Sequence, residues 1–562
     1  MKRFLNRFYW ILLPLLITAV LLLLKAVQYD SADDVFLYEM ANSFATNAHS
    51  EHLMFMSVLY GYLYRAFYLI MPTVNWFSLS YLTLHCCQFM MLYKTVQRHG
   101  SYLPFVTVLA GLEVYLLHRI SFTGLSFIGV TVGIIWLLDR VDSISKKNIK
   151  HIVLSFVMIG LSFGMRSGNT FIFALLIFMP INVMLLIRNK KRLPVIAVLL
   201  VLLTVANYTV QGIQKYYVST IPADSYYAEF QEYRSAATDG GVYDYDNHRE
   251  ALEAAGVSEN DYQLYRNYIY LDKTAFSKDK IKAISERDFS EQYDTDKTHL
   301  WEKLQEYDIK KGNWYHFHHY LLYYFLFALI LFVLHKNKRL DIFLSAGFTA
   351  AAELYLFFRR RPVPRVVNPI AILGMIILLF IVLDDKGYLQ SLKAADQLSK
   401  KRIYRCSVLI LLAVTTFLSG LNIYIQKTTE PASYEELYQT IDEDTEHIYL
   451  SYSQTRNQLM DKHLTLSAAS YRKIPINMIF GDWQGYTYYW YDLLQCLELE
   501  AYADHSMEAL LDDRVLFVCK NKSIPDYLVE YFKEHEDLNV SYVTVSTTAD
   551  GSLTVYDFNV EV

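Results

Sequence analysis

YWILLPLLITAVLLLLKAV (residues 9–27), followed at once by QYDSADDVFLYEMA (28–41), is the stretch on which the reading of this chain turns. At about 1.5 Å per residue, the first segment is long enough as a helix to cross a hydrocarbon core of about 30 Å. Lys2, Arg3 and Arg7 precede it. Basic flanks stay in the cytoplasm, so this span exits outward and delivers Asp33 and Asp34 to the outer membrane surface. The segment has no small-residue cleavage site and reads as an uncleaved anchor. Two carboxylates held at that boundary, with an amphipathic stretch after them, point to chemistry on a lipid-borne substrate.

Composition sets the class. Of the residues, 53% are hydrophobic, 15% aromatic and only 19% charged, and apolar windows recur along most of the length. This predicts an α-helical polytopic membrane protein. The basic clusters sit in short loops between apolar runs and form no polybasic patch, which argues against a nucleic-acid partner. Cys86, Cys87 and Cys406 fall in apolar runs and read as packing residues. Cys496 and Cys519 could pair only if the C-terminal region is extracellular, and no CxxC or zinc-finger spacing exists.

The apolar runs are roughly 9–27, 53–71, 77–93, 103–118, 120–138, 152–165, 170–187, 193–211, 316–334, 340–357, 367–383 and 403–422. The basic loops at Lys146–Lys150, Arg188–Arg192, Lys336–Arg339 and Lys400–Arg402 read as cytoplasmic. If every run crossed, these loops would fall outside. Keeping 53–71 in the interface restores the parity. There Tyr60, Tyr64 and Tyr68 form an i, i+4, i+8 stripe opposed by Leu, Met, Val and Ile, the pattern of a helix lying flat on a bilayer. About eleven transmembrane helices result.

The expected organisation is a transmembrane domain over 1–427, with an external first loop at 28–76 and a large external loop at 212–315. An extracellular α/β domain over 428–562 is expected to fold apart from it. Its strand-like runs are HIYLSY, NMIFGDW, RVLFVCK, VSYVTVS and LTVYDF, and its helices fall near 434–441, 502–511 and 525–535. The large loop has helical stretches at 246–270 and 276–306. The chain is then a multi-pass protein of the cell membrane with a cytoplasmic N-terminus.

DDVFLYEMA (33–41) looks like a D-[DE]-x-x-x-Y motif, EHLMFMSVLYGYLY (51–64) takes the place of a His-Pro-Pro segment followed by Tyr and Leu, and PTVNWFSLSYL (72–82) that of an external turn entering span two. In these features, and in the interval taken by 212–315, the chain resembles the GT-C glycosyltransferases. It departs from them in lacking the two prolines after His52. The resemblance covers about residues 1–422. It implies a membrane glycosyltransferase moving a sugar from a polyprenyl-(di)phosphate carrier to a cell-envelope glycan, lipid or protein acceptor at the outer face. It also implies Asp33 as the base or metal-linked acid, with Asp34 in support.

An inverting transfer needs a base for the acceptor's proton, and the phosphate leaving group needs positive charge. RRRPVPR supplies Arg359, Arg360, Arg361 and Arg365 for the phosphate. Arg166 is a further candidate. The bland alternatives are that Ser31 and Asp34 cap a helix and that the arginines merely anchor helix ends. Glu113 and Glu353, acids inside spans, and His52 are supporting candidates. WYHFHHY (314–320) offers His316, His318 and His319; by the resemblance, His316 or His319 could join Asp33 in holding a divalent metal, and His49 stands with His52. Two other functions fit the same layout: a polysaccharide polymerase or ligase of the O-antigen type, and a transporter of lipid-linked glycans.

Overall fold

The computed structural model describes residues 2–46, 49–100, 103–141, 144–166, 193–220, 226–227, 230–231, 233–234, 245–285, 314–358, 364–383, 434–468 and 475–561. The apolar runs at 170–187 and 403–422 lie outside these residues, as do Cys406 and Arg359, Arg360 and Arg361.

The chain is mostly helical. Its first part carries α1 (Lys2–Leu23), α2 (Ala32–Asn42), α3 (Val58–Ile70), α4 (Trp76–Arg98), α5 (Leu103–His118), α6 (Phe122–Arg140), α7 (Ile149–Met165) and α8 (Leu193–Ser219). The short helices α9 (Tyr245–Ala254), α10 (Glu259–Arg266) and α11 (Lys278–Ser285) follow, then α12 (Trp314–Leu334), α13 (Arg339–Phe358) and α14 (Pro364–Leu383). Among the described residues, four helices are long and apolar enough to cross a bilayer: Phe122–Arg140, Lys146–Met165, Leu193–Ser219 and Val366–Leu383. The first and last have 89% of their apolar windows buried, against 39% and 33% for the middle two. So α6 and α14 form the centre, and α7 and α8 turn a face outward.

α3 is 13 residues long, too short to cross. Its exposed side is apolar, with Leu59, Leu63, Leu69 and Ile70. The tyrosine stripe faces the opposite way from the wet position expected of it. Tyr60, Tyr64 and Tyr68 are buried, donating to the Leu161 carbonyl (3.1 Å), sharing a hydrogen bond with the Ser80 hydroxyl (2.6 Å) and donating to Asn75 (3.4 Å). The phenol hydroxyls find partners inside the protein, and aliphatic side chains are left for the outer surface.

Two residues of strand, β1 (Gln28–Tyr29) and β2 (Arg119–Ile120), pair in parallel and tie the end of α1 to the start of α6. The C-terminal region has α15 (Glu435–Glu443), β3 (Ile448–Ser451), α16 (Ser453–Leu459), α17 (Tyr488–Cys496), β4 (Val515–Cys519), α18 (Ile524–His535), β5 (Val540–Thr547) and β6 (Thr554–Val560). The sheet order is β3-β4-β6-β5, with β3 and β4 parallel and the other pairs antiparallel. NMIFGDW (477–483) is not a strand. It makes one bridge, Leu450 with Asn477, then turns at Asp482 in the left-handed region, φ 74°. A Cβ on Gly481 would collide with the Tyr268 carbonyl, so only glycine lets this segment pass against the middle of the chain.

The C-terminal region does not fold apart. Residues 462–468 thread along the first segment: the Tyr29 amide donates to the Lys462 carbonyl (2.8 Å), Leu464 to Val27 (3.0 Å), Asn75 to Leu466 (2.9 Å) and Ala468 to Thr73 (3.0 Å). Tyr438, Met460, Ile476 and Trp483 share one hydrophobic core with the helices. Phe517, Tyr531 and Trp490 share a second core with Tyr265, Tyr270 and Phe276 of the middle segment.

Candidate functional site

α2 opens the site. Its N-cap is Ser31, in extended conformation, and the spacing to Asp34 brings their side chains together: the Ser31 hydroxyl donates to Asp34 Oδ2 at 2.7 Å. Asp34 is fully buried and also accepts from the Tyr81 hydroxyl (3.2 Å) and the Phe122 amide (2.9 Å). Burial raises its carboxyl to about 7, opposed by the Phe122 amide and the Ser31 hydroxyl. With three donors from α2's cap, α4 and α6, Asp34 is an anchor that sets the height of α2 over the helices.

Asp33, its neighbour, is half-buried and faces another way. Its Oδ1 accepts from the Trp483 indole N–H at 3.1 Å. Trp483 is held by aromatic contacts: Phe36 edge-on at 6.0 Å and Phe55 at 4.8 Å, with Phe55 in turn stacked on Phe122 at 5.8 Å. Arg166, the residue that ends α7, lies over the Phe122 ring at 5.1 Å and donates to Thr123 Oγ1 at 2.6 Å. Arg166 is thus set at the start of α6, across an aromatic layer from Asp33.

Cations gather at the same end. Arg119 Nη1 lies 3.7 Å from Asp30 Oδ1. Lys462, half-buried, has its affinity for protons lowered by burial; Asp30, Asp34 and Asp33 push the other way, and Arg119 adds to the lowering. Lys462 therefore sits in the field of three carboxylates and of Arg119.

The middle segment and the C-terminal region close the arrangement. Asp482 is 8% exposed, accepts from the Ser453 hydroxyl (2.6 Å) and the Trp483 amide (2.7 Å), and has its carboxyl raised by burial. Arg234, also buried, offsets that rise, and Asp33 adds to it. Arg456 donates to Glu39 at 3.0 Å in a buried ion pair and to the Ile476 carbonyl at 3.0 Å. Its guanidinium sits 5.0 Å over Phe36.

The structure therefore brings together Asp33, Asp34 and Arg166 of the residues singled out in the sequence. Others are apart from them. His52 is buried in an aromatic sandwich, 5.0 Å from the Tyr217 ring and 5.7 Å from Tyr488. His49 stacks on Tyr68 at 5.1 Å and bonds the Ala41 carbonyl. Glu113 is fully buried and accepts from the Tyr93 hydroxyl at 2.7 Å, linking α5 to α4. Glu353 on α13 is 1% exposed, and among the described residues neither of its oxygens has a hydrogen-bond partner. His316 and His319 belong to α12 and Arg365 to α14, but their side chains lie outside the described residues. Arg365 stands one turn before Asn368 on the same helix.

Trp483, Asp482, Lys462, Arg119 and Arg234 were missed as site residues. The one signal was the Gly-Asp pair inside NMIFGDW, which is turn chemistry within an apolar run. Around Asp33 the structure places the Trp483 indole N–H, Lys462 and the carboxylates of Asp34 and Asp482. Groups of His and carboxylates spaced for an ion occur elsewhere, at Asp261, Glu534, His535 and at Asp272, His505, Glu536. Comparison of the chain with protein-family models, with curated proteins and with solved structures found no match.

Proposed function

We propose that this chain is a membrane glycosyltransferase that moves a sugar from a polyprenyl-phosphate carrier to a cell-envelope acceptor at the outer face. The observation that supports it most is the meeting of the first hydrophilic segment and the C-terminal region at Asp33, three residues from the Asp30–Arg119 pair. The first segment brings Asp33 itself, the C-terminal region brings Trp483 and Lys462, and Arg119 comes from the start of α6. A half-exposed carboxylate beside cations, over the ends of apolar helices, suits transfer from a lipid phosphate.

In this reading about eleven helices cross the membrane, the N-terminus is cytoplasmic, and residues 28–76, 212–315 and 428–562 are external. α3 rests its Leu59, Leu63, Leu69 and Ile70 face in the outer interface. Asp33 accepts the acceptor's hydroxyl proton as its oxygen bonds to the anomeric carbon. The bond from that carbon to the phosphate oxygen breaks, and the electron pair leaves with the phosphate. Lys462 and Arg119 stabilise that developing charge, with Arg166 beside them at the start of α6. Trp483 fixes the orientation of Asp33, and Asp34 fixes the helix that carries it.

The test is transfer of labelled sugar from polyprenyl-phosphate sugars by the purified protein in liposomes. Transfer without transbilayer movement supports the reading, and movement without transfer selects a transporter. Loss of activity on Arg361→Gln but not on Asp33→Asn selects the polymerase or ligase class.

A further inference from the structure

Next to the Asp30–Arg119 pair the chain encloses a small cavity between α4, α5, α6 and α14. Its polar wall is Asp30, His85, Tyr115, Arg119, Ser121 and Asn368; the rest is aliphatic. It measures about 360 Å³ counting its open mouth, with only a narrow part enclosed. The enclosed part is about 20 Å³, room for a single hydroxyl or water-sized group.

Among the described residues, two wall residues hold buried polar atoms with no hydrogen-bond partner. His85 is fully buried and neither ring nitrogen makes a hydrogen bond. Asn368 is 7% exposed and its Oδ1 accepts none. Buried polar side chains are nearly always paired, so two bare ones in one cavity point to a ligand.

Their chemistry narrows the choice. Asp30 and Arg119 offset each other's charge at 3.7 Å. A neutral imidazole brings one donor and one acceptor, and the asparagine oxygen a second acceptor. An anion would face both acceptors, and a cation would face the imidazole N–H. An alcohol hydroxyl can accept from the imidazole N–H and donate to one of the two acceptors.

The cavity also adjoins the proposed reaction centre. Asp30 precedes Asp33 by one helical turn's worth of chain, and Ser121 precedes Phe122, whose amide holds Asp34. We infer that this cavity is a specificity pocket that binds one hydroxyl of the sugar carried by the lipid-linked donor, through His85 and Asn368. The inference rests on the glycosyl-transfer reading and names the groups that choose the sugar.

The experiment measures binding of polyprenyl-phosphate hexoses to the full chain in nanodiscs, then of each monodeoxy analogue of the best-bound one. For the wild type, one deoxy position is expected to lose about 5- to 100-fold in affinity, because a site built for a hydroxyl is left unpaired without it. In the His85→Leu/Asn368→Leu double variant that penalty is expected to fall below about 2-fold. Among the described residues the His85 ring nitrogens and Asn368 Oδ1 make no hydrogen bond, so the double variant gives up none there, and its melting temperature serves as the folding check. The wild-type deoxy series stands without it in any case. Equal binding of every deoxy analogue to the wild type, or an unchanged penalty in the double variant, overturns the pocket and leaves the transfer reading intact. Binding of no polyprenyl-phosphate hexose by the wild type overturns both.

Discussion

Arg456→Met tests whether the C-terminal region is locked onto the first segment. Methionine keeps an unbranched chain over the Phe36 ring but removes the charge from a pair whose side chains are 6% and 3% exposed. Glu39 then stays buried without its cation, which costs about 3–5 kcal/mol in comparable cases. The Ile476 carbonyl also loses its donor, worth about 1 kcal/mol. The companion Arg456→Met/Glu39→Leu removes both charges and should lie within about 1–2 kcal/mol of the wild type, since paired apolar replacement is often neutral. The assay is amide hydrogen exchange of α2 and residues 453–468, where opening free energy is read site by site. At 1.4 kcal/mol per tenfold, the single variant, losing about 4–6 kcal/mol in all, should exchange about 700- to 20,000-fold faster, and the double variant much less. A single variant that exchanges like the wild type, or a double variant as fast as the single, refutes the lock.

Asp33→Asn should lower transfer by about 100-fold or more with unchanged stability, as it removes the proton acceptor; near-wild-type turnover sinks Asp33 as base. Asp34→Leu should instead lower stability by about 1–3 kcal/mol, because the buried Phe122 N–H then loses its acceptor; a wild-type melting temperature contradicts the anchor role. Trp483→Phe keeps the contacts with Phe55 and Phe36 but loses the indole N–H. A drop in turnover of about 10-fold, with KM little changed, is expected, and full activity would make the bond to Asp33 incidental. His505 joins the C-terminal region to Asp272 at 3.0 Å. Burial opposes its charging, but Asp272, with Glu508 and Glu536 nearby, raises the imidazole above its ordinary value. Its stabilisation is therefore full below about pH 6.5 and is lost as pH rises through the raised value. Wild-type melting should fall over that window and His505→Gln should flatten the fall; parallel curves would exclude His505. For the topology, cysteines at Asp550 and Thr73 should react with an impermeant reagent from outside and one at Ile144 only from inside. The reverse pattern breaks the parity argument.

Hydropathy located most of the described helices, because a long apolar run has few alternatives to a helix. Strands β3, β4, β5 and β6 were also legible, each a β-branched or aromatic run between turn residues. The Ser31–Asp34 spacing announced the start of α2. What periodicity reports is which face is apolar, not what the polar face meets. The Tyr60, Tyr64 and Tyr68 stripe was assigned to water and instead meets protein hydroxyls and amides. NMIFGDW was read as a strand from its apolar half, whereas the Gly-Asp turn and the close pass by Tyr268 govern it. The partner of Asp33 is 450 residues away in sequence, and no local signal encodes such a contact.

The neighbouring carboxylates show how one short motif yields two roles. Successive residues of a helix point about 100° apart, so Asp33 and Asp34 cannot share a surrounding. Asp34 turns to the helices, where the Phe122 amide and two hydroxyls satisfy it and burial holds its carboxyl near 7. A group so enclosed has no room for an acceptor sugar. Asp33 turns toward the C-terminal region, half-buried, with one oxygen on an indole N–H. Exchanging the two environments would need α2 to rotate by about 100°, which the Arg456–Glu39 pair and the Phe122 amide both oppose. The anchor thus sets the direction of its neighbour, so chemistry at Asp33 depends on the burial of Asp34 even though only one of them can reach a substrate.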